Sequence, residues 1–233
     1  MKISIIGLGY LGLPLAHALK SHYQVLGTKR EQISIPGVTV IPLNLNTTPE
    51  AQLMDADVIV LNIPPFDGQL EWFKSWKWTK KSKVIFISST SVYQESEGLV
   101  SESCPRNDNL LKWEEDWIQN EFNDWVILRM GGLIGNGRHP LNFLLKKKNL
   151  PHQDWPVNLI HQDDAVGAIR AVIEKKINRE ILNVVSDEHS KRKDFYTGAD
   201  FDPHDHSTGK IIDNSKLKNI YQLKWPTMLG KAL

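Results

Sequence analysis

The chain has 233 residues, enough for one large domain or for a core with a small appendage. Its 28 basic and 27 acidic side chains leave a formal charge of +1, which excludes a dominant electrostatic pull toward nucleic acid or an anionic membrane. The single cysteine, Cys104, excludes an intrachain disulfide; with no membrane-length apolar run and no leader-like start, the expectation is a soluble, cytoplasmic protein.

A buried strand is predicted at 3–6, where β-branched residues run without a polar break. It ends in Gly7-x-Gly9-x-x-Gly12. A helix follows, with Leu11, Leu15, Ala18 and Leu19 on one face; Pro14 falls in its first turn, where the missing N–H costs nothing. Further strands are predicted at 23–27, 38–42, 57–61, 84–87, 126–128 and 181–185. Helices are predicted at 110–121 and 164–176, the second capped by Asp163 or Asp164. Trp113 and Trp117 on the first of these are expected to pack rather than to bind. Strand–helix alternation of this kind predicts an α/β fold, a Rossmann-type doubly wound parallel sheet. Residues 1–135 form the dinucleotide-binding core on this reading, and 136–233 a small substrate-facing part that returns a helix and a strand to it. Pro140, Pro151, Pro156 and Pro203 interrupt that second part.

A glycine turn between a buried strand and an amphipathic helix has a specific use. Gly7 permits the tight turn, Gly9 lets backbone approach a pyrophosphate, and Gly12 lets the helix pack on the strand. The N–H groups of Tyr10, Leu11 and the helix start then face the phosphates. An NAD-preferring fold closes its second strand with an acid for the ribose 2′-hydroxyl. Here Gly27 is followed by Thr28, Lys29 and Arg30, a hydroxyl and two cations suited to a 2′-phosphate. The expected cofactor is NADP in preference to NAD. Asn62, Pro64 and Ser88, at later strand ends, complete the expected cofactor contacts.

Four stretches carry a family resemblance: FISSTSVY at 86–93, ESCP at 102–105 ahead of a helix with Glu114 and Glu115, LRMGGLIGNGR at 128–138, and NLIHQDD at 158–164. In this order they resemble the NAD-dependent epimerase/dehydratase family, the extended short-chain dehydrogenase/reductases. The short length and the ending YQLKWPT at 221–227 are similar to an atypical subgroup. The opening glycine turn and DVIVLNIPP at 57–65 also resemble UDP-sugar 6-dehydrogenases, but only over the first third of the chain, and Cys104 lacks a glycine-rich catalytic context.

The resemblance implies that Ser89 hydrogen-bonds the substrate oxygen; the alternative is a hydroxyl satisfying its own loop. Thr90 and Ser91 stand where the family's dehydratases carry an Asp-Glu pair, which disfavours elimination of water. Asn107 and Leu111 fall at the slots of the family's Tyr-x-x-x-Lys, so the usual proton-transfer pair is missing. The remaining proton donors are Tyr93, Ser89 through a water, or His161. Arg138 is the candidate for an anionic substrate group, with His161 behind it, while Arg129 reads as structural. His204, Asp205 and His206 mimic metal ligands, but the spacing is a common accident and no metal is expected. The expected function is an NAD(P)-binding oxidoreductase or epimerase-like enzyme acting as a monomer or homodimer on a small or nucleotide-linked substrate. The competing reading is a non-catalytic NADP-binding redox sensor or scaffold.

Overall fold

A computed structural model describes residues 1–44 and 47–227; positions 228–233 of the expected substrate-facing part lie outside the described residues. In chain order the strands are β1 Lys2–Ile6, β2 Gln24–Lys29, β3 Val38–Pro42, β4 Val58–Leu61, β5 Lys83–Ser89, β6 Gly98–Val100, β7 Trp125–Met130, β8 Gly132–Ile134, β9 Leu159–His161, β10 Glu180–Val184 and β11 Lys210–Ile212. The helices are α1 Gly12–Leu19, α2 Ala51–Met54, α3 Gln69–Lys74, α4 Leu110–Glu121, α5 Leu141–Leu144, α6 Gln162–Glu174, α7 Arg192–Phe195 and α8 Ser215–Lys218.

The seven strands expected from the sequence build one parallel sheet, ordered β10-β7-β5-β4-β1-β2-β3. Their side chains alternate between two cores, as the two-residue strand period requires. Ile3, Ile5, Val58, Val60, Ile85, Val126 and Leu128 pack with Leu15 and Leu19 of α1 and Ile169 and Val172 of α6. Ile6, Ile59, Leu61, Val84, Phe86 and Ile127 pack on the other side with Phe73 of α3 and Leu111 and Ile118 of α4. Both faces are therefore dry, which is why the strands read as continuous apolar runs.

Strand order reverses at β1, which pairs with β2 on one side and β4 on the other. The crevice beyond the carboxyl ends of β1 and β4 is the position where doubly wound sheets hold ligands. A second ribbon, β8 paired with β9, continues from the carboxyl end of β7 and stands at that same edge. The short pair β6–β11 was not foreseen from sequence.

Helix α4 contributes the centre of a buried polar network. Glu115 is fully buried and takes two bonds from the equally buried Arg129, at 3.0 Å from Nε and 2.6 Å from Nη2. It also accepts from Ser88 Oγ (2.7 Å) and Arg106 Nη1 (3.1 Å). A bidentate pair of this kind ties α4, β5 and β7 in one geometry. Trp117 packs on Phe73 and Trp78 of the α3 side, whereas Trp113 stays exposed and donates its indole N–H to Asp108 (2.9 Å).

The neighbouring Glu114 is also fully buried, yet neither carboxyl oxygen has a hydrogen-bond partner among the described residues. Burial, aided by the Glu115 charge, pushes its pKa up to about 8. The folded state thus holds this proton more tightly than the unfolded chain does. Stability from Glu114 is complete below the ordinary glutamate pKa and is lost as pH rises toward 8. The unfolding free energy from urea titrations should fall between pH 5 and pH 8 with a slope of up to ~1.4 kcal/mol per pH unit from this group. Glu114→Gln should flatten that slope; an unchanged slope would show that Glu114 is solvated or paired.

Candidate active site

The glycine turn has the geometry its sequence demands. Gly7 has φ +108°, and a Cβ there would lie 2.3 Å from the Asn62 carbonyl oxygen. A Cβ on Gly12 would lie 2.1 Å from the Gly7 carbonyl oxygen. A Cβ on Gly9 would meet nothing within 4 Å. Two glycines therefore seal the turn against the sheet, and the middle one leaves its outer surface open. Among the described residues, no backbone acceptor takes the N–H of Tyr10, Leu11 or Gly12. The N-cap residue of α1, Leu11, offers no side-chain cap either, and its side chain is buried in the core. These are the groups a helix start presents to an anion.

Two expected cofactor contacts are used differently. The Gly7 N–H donates to Thr28 Oγ1 (2.9 Å), and Thr28 is buried. Asn62 Nδ2 donates to the Gly7 carbonyl (2.9 Å). Both side chains hold the turn in shape and do not face outward. Lys29 and Arg30 are exposed at the end of β2, and Pro64 is exposed just beyond β4.

At the end of β5 the pleat sends adjacent serines opposite ways. Ser88 is buried against Glu115, so it is removed from the expected cofactor contacts. Ser89 is half-buried and accepts from the Ser91 N–H (3.1 Å) and the Ser91 hydroxyl (3.0 Å), capping the 3-10 turn Thr90–Val92. Tyr93 is withdrawn completely. It is fully buried, donates to Asn183 Oδ1 (2.5 Å) and accepts from Arg129 Nη1 (2.8 Å), whose guanidinium lies 4.8 Å from its ring centroid. Burial raises its pKa, while Arg129 pulls the other way. A phenol bonded on both sides inside the core does not donate a proton to a ligand in the crevice, and Tyr93 becomes a structural residue. Asn107 donates to the Tyr93 carbonyl (2.9 Å), and Leu111 is a core residue.

The opposite wall is built by the 134–138 loop and the start of α6. That helix starts at Gln162 rather than at 164, because His161 is its cap, accepting from the Asp163 N–H at Nδ1 (3.2 Å). The His161 ring is buried, stacked on Trp225 (4.4 Å between centroids) and lying where a Cβ on Gly135 would be. It backs the wall, and the expected substrate or proton-donor role does not fit so enclosed a ring. Asp164, the other expected cap, is buried and clamps the C-terminal segment, accepting from the Tyr221 hydroxyl (2.9 Å) and the N–H groups of Lys224 and Trp225 (both 2.8 Å).

Gln162 was not singled out from sequence, although it joins the walls: Nε2 donates to the Tyr10 carbonyl and Oε1 accepts from Asn136 Nδ2, both at 2.5 Å. Its only sequence signal is its place between the capping His161 and two acids. Arg138 is exposed, its guanidinium 5.1 Å from the centroid of the Tyr10 ring. His206 pairs with Asp154 (3.1 Å) beside Lys191 and Lys193, and no cluster suited to a metal ion exists among the described residues.

No family model matches the chain. Over its whole length, however, it is 34% identical to protein YeeZ of Escherichia coli K12, with 99% of that protein covered. The chain belongs to the YeeZ family. The fold of this YeeZ-family chain recurs in solved structures. One is a Methylobacillus flagellatus protein provisionally assigned as an NAD-dependent epimerase/dehydratase, with TM-score 0.74, 21% identity, and coverage of 97% of this chain and 94% of that one. Another is the UDP-glucuronic acid 4-epimerase of Bacillus cereus in complex with NAD, with TM-score 0.71, 22% identity, and coverage of 94% and 92%. The Rossmann-type fold expected from the sequence is thereby established.

The turn makes a paired prediction for YeeZ-family chains of this sequence. Gly7→Ala should cost more than about 2 kcal/mol in urea unfolding, because it combines positive φ with a backbone clash. Gly9→Ala should melt within a few degrees of wild type. If both variants unfold alike, the turn does not have this division of labour.

Proposed function

We propose that the protein is an NAD(P)-binding enzyme of the extended short-chain dehydrogenase/reductase type, using NADP in preference to NAD and acting on a nucleotide-linked substrate. The observation that carries this reading is the open surface above Gly9, on a turn packed closely against the sheet at Gly7 and Gly12, at the topological switch point of a parallel sheet. The cradle fits a dinucleotide: Gly9 admits its diphosphate, and the N–H groups of Tyr10, Leu11 and Gly12 face it. The NAD bound to the similarly folded Bacillus cereus epimerase supports the same assignment here. Lys29 and Arg30, exposed where an NAD-preferring fold places an acid, support the 2′-phosphate. When bound, the nicotinamide supplies hydride chemistry.

On the protein's side, Ser89 is the half-buried hydroxyl at the carboxyl end of a central strand and is the group we assign to the substrate oxygen. With Tyr93 and His161 enclosed, proton delivery falls to Ser89 through a water. A second reading, a non-catalytic NADP sensor, has its own support in Asn107 and Leu111, which occupy the slots where the resembled family carries its Tyr and Lys. Nicotinamide absorbance during incubation with carbonyl compounds and nucleotide sugars, with product analysis for epimers, separates the two. Turnover that Ser89→Ala abolishes favours the enzyme; tight NADPH binding without turnover on any substrate favours the sensor.

The cofactor preference has a sharper test. Arg30→Ala should weaken NADPH by about tenfold or more and leave NADH within twofold. Equal losses for both would remove Arg30 from the 2′-phosphate.

A further inference from the structure

We propose that Arg138 grips the diphosphate of the bound dinucleotide from the wall facing the glycine turn, a role that rests on the dinucleotide reading above. The sequence alone suggested a substrate anion for this residue; the placement of its guanidinium points to the cofactor.

Arg138 is presented by a stiff hairpin turn. Gly135 and Arg138 exchange backbone bonds, N–H to carbonyl, of 2.9 and 3.0 Å. Asn136 and Gly137 between them have φ of +50° and +84°, the left-handed pair of a tight two-residue turn that Asn-Gly favours. This turn is fastened to the cofactor turn by the Tyr10 hydroxyl, which donates to the Gly135 carbonyl, and by Gln162, which bridges the Tyr10 carbonyl to Asn136.

The guanidinium lies against the Tyr10 ring, and no acid among the described residues pairs with it. An aromatic partner occupies the face of a guanidinium and leaves its in-plane N–H donors free. Tyr10 itself belongs to the glycine turn, so the guanidinium lies against a side chain of the same turn whose N–H groups are assigned to the diphosphate. The turn from Gly7 to Gly12 contains no cation, while a diphosphate brings two negative charges. Lys29 and Arg30 are at the end of β2, assigned to the ribose end. Arg138 supplies the missing positive charge, and the bidentate edge of a guanidinium suits phosphate oxygens. One charge opposes it: Asp163, which accepts from Asn136 Nδ2 (3.3 Å) on the same clasp.

A diphosphate also occurs in nucleotide-linked substrates, so the probes must separate the two sources. Calorimetric titrations of wild type, Arg138→Ala and Arg138→Lys would use ADP-ribose, NADH and NADPH, and then UDP on the NADPH-loaded protein. ADP-ribose keeps the cofactor's diphosphate and lacks the nicotinamide and 2′-phosphate. Arg138→Ala should weaken ADP-ribose, NADH and NADPH by one common factor of about tenfold and make affinity less salt-dependent, leaving UDP unchanged. Arg138→Lys should recover part of the loss, and Asp163→Asn should tighten all three. Unchanged ADP-ribose affinity in Arg138→Ala, or a loss confined to UDP, would overturn the proposal while leaving the dinucleotide reading in place. Failure of the wild type to bind ADP-ribose, NADH or NADPH would overturn both.

Discussion

A Cβ at Gly12 would lie 2.1 Å from the carbonyl oxygen of Gly7, and the crevice is built on that close approach. It draws α1 down onto β1 until helix and turn share one surface with the end of β4. Asn62 and Thr28 then reach in from β4 and β2 to hold the Gly7 peptide from both sides. The turn is thereby fixed in a shape whose outer N–H groups have no backbone acceptor among the described residues. Unmet donors at a helix start are a standing attraction for an anion. The opposite wall inherits its position from the same turn, because Tyr10 bonds to Gly135 and Gln162 from within it.

Below this surface the Glu115–Arg129 pair does a different job. Taking both charges out of water is unfavourable, and the pair is tolerated because nearly every donor and acceptor around it is matched. Arg129 bonds Glu115, Tyr93 and the Glu102 carbonyl, and Glu115 takes Ser88 and Arg106 as well. The network sets the ends of β5 and β7 and the loop that follows Ser89. It also engages Tyr93 and Ser88, whereas Ser89 at the end of β5 lies outside it and bonds Ser91.

Much of this architecture was legible in the sequence. Runs such as 3–6, 57–61 and 84–87 are apolar without alternation because both faces of their sheet are covered, and that pattern survives translation into one dimension. The close packing of Gly7 and Gly12 was equally readable, since the glycine spacing between a buried strand and an amphipathic helix fixes which positions meet backbone. Side-chain direction was not readable at the ends of elements. Ser88 and Ser89 differ only in pleat parity, which needs the strand to be known to run through Ser89 rather than to stop at 87. His161 took the cap that two aspartates were expected to fill, and Asp164 was drawn to a segment some sixty residues later. Such long-range partners leave no local trace. Thr28 and Asn62 were expected to contact a cofactor; their side chains instead bond the Gly7 peptide, a distinction that hydrogen bonds decide and motif spacing does not.

The central claim is that this glycine turn holds a dinucleotide. It is tested most directly by equilibrium titration of the intact protein with NADPH and NADH, read by quenching of its tryptophans. The account predicts saturable binding of one dinucleotide per chain, competed by ADP-ribose and lost in Gly9→Ala while that variant remains folded. Absence of saturable binding by either dinucleotide to the folded wild-type protein would contradict it.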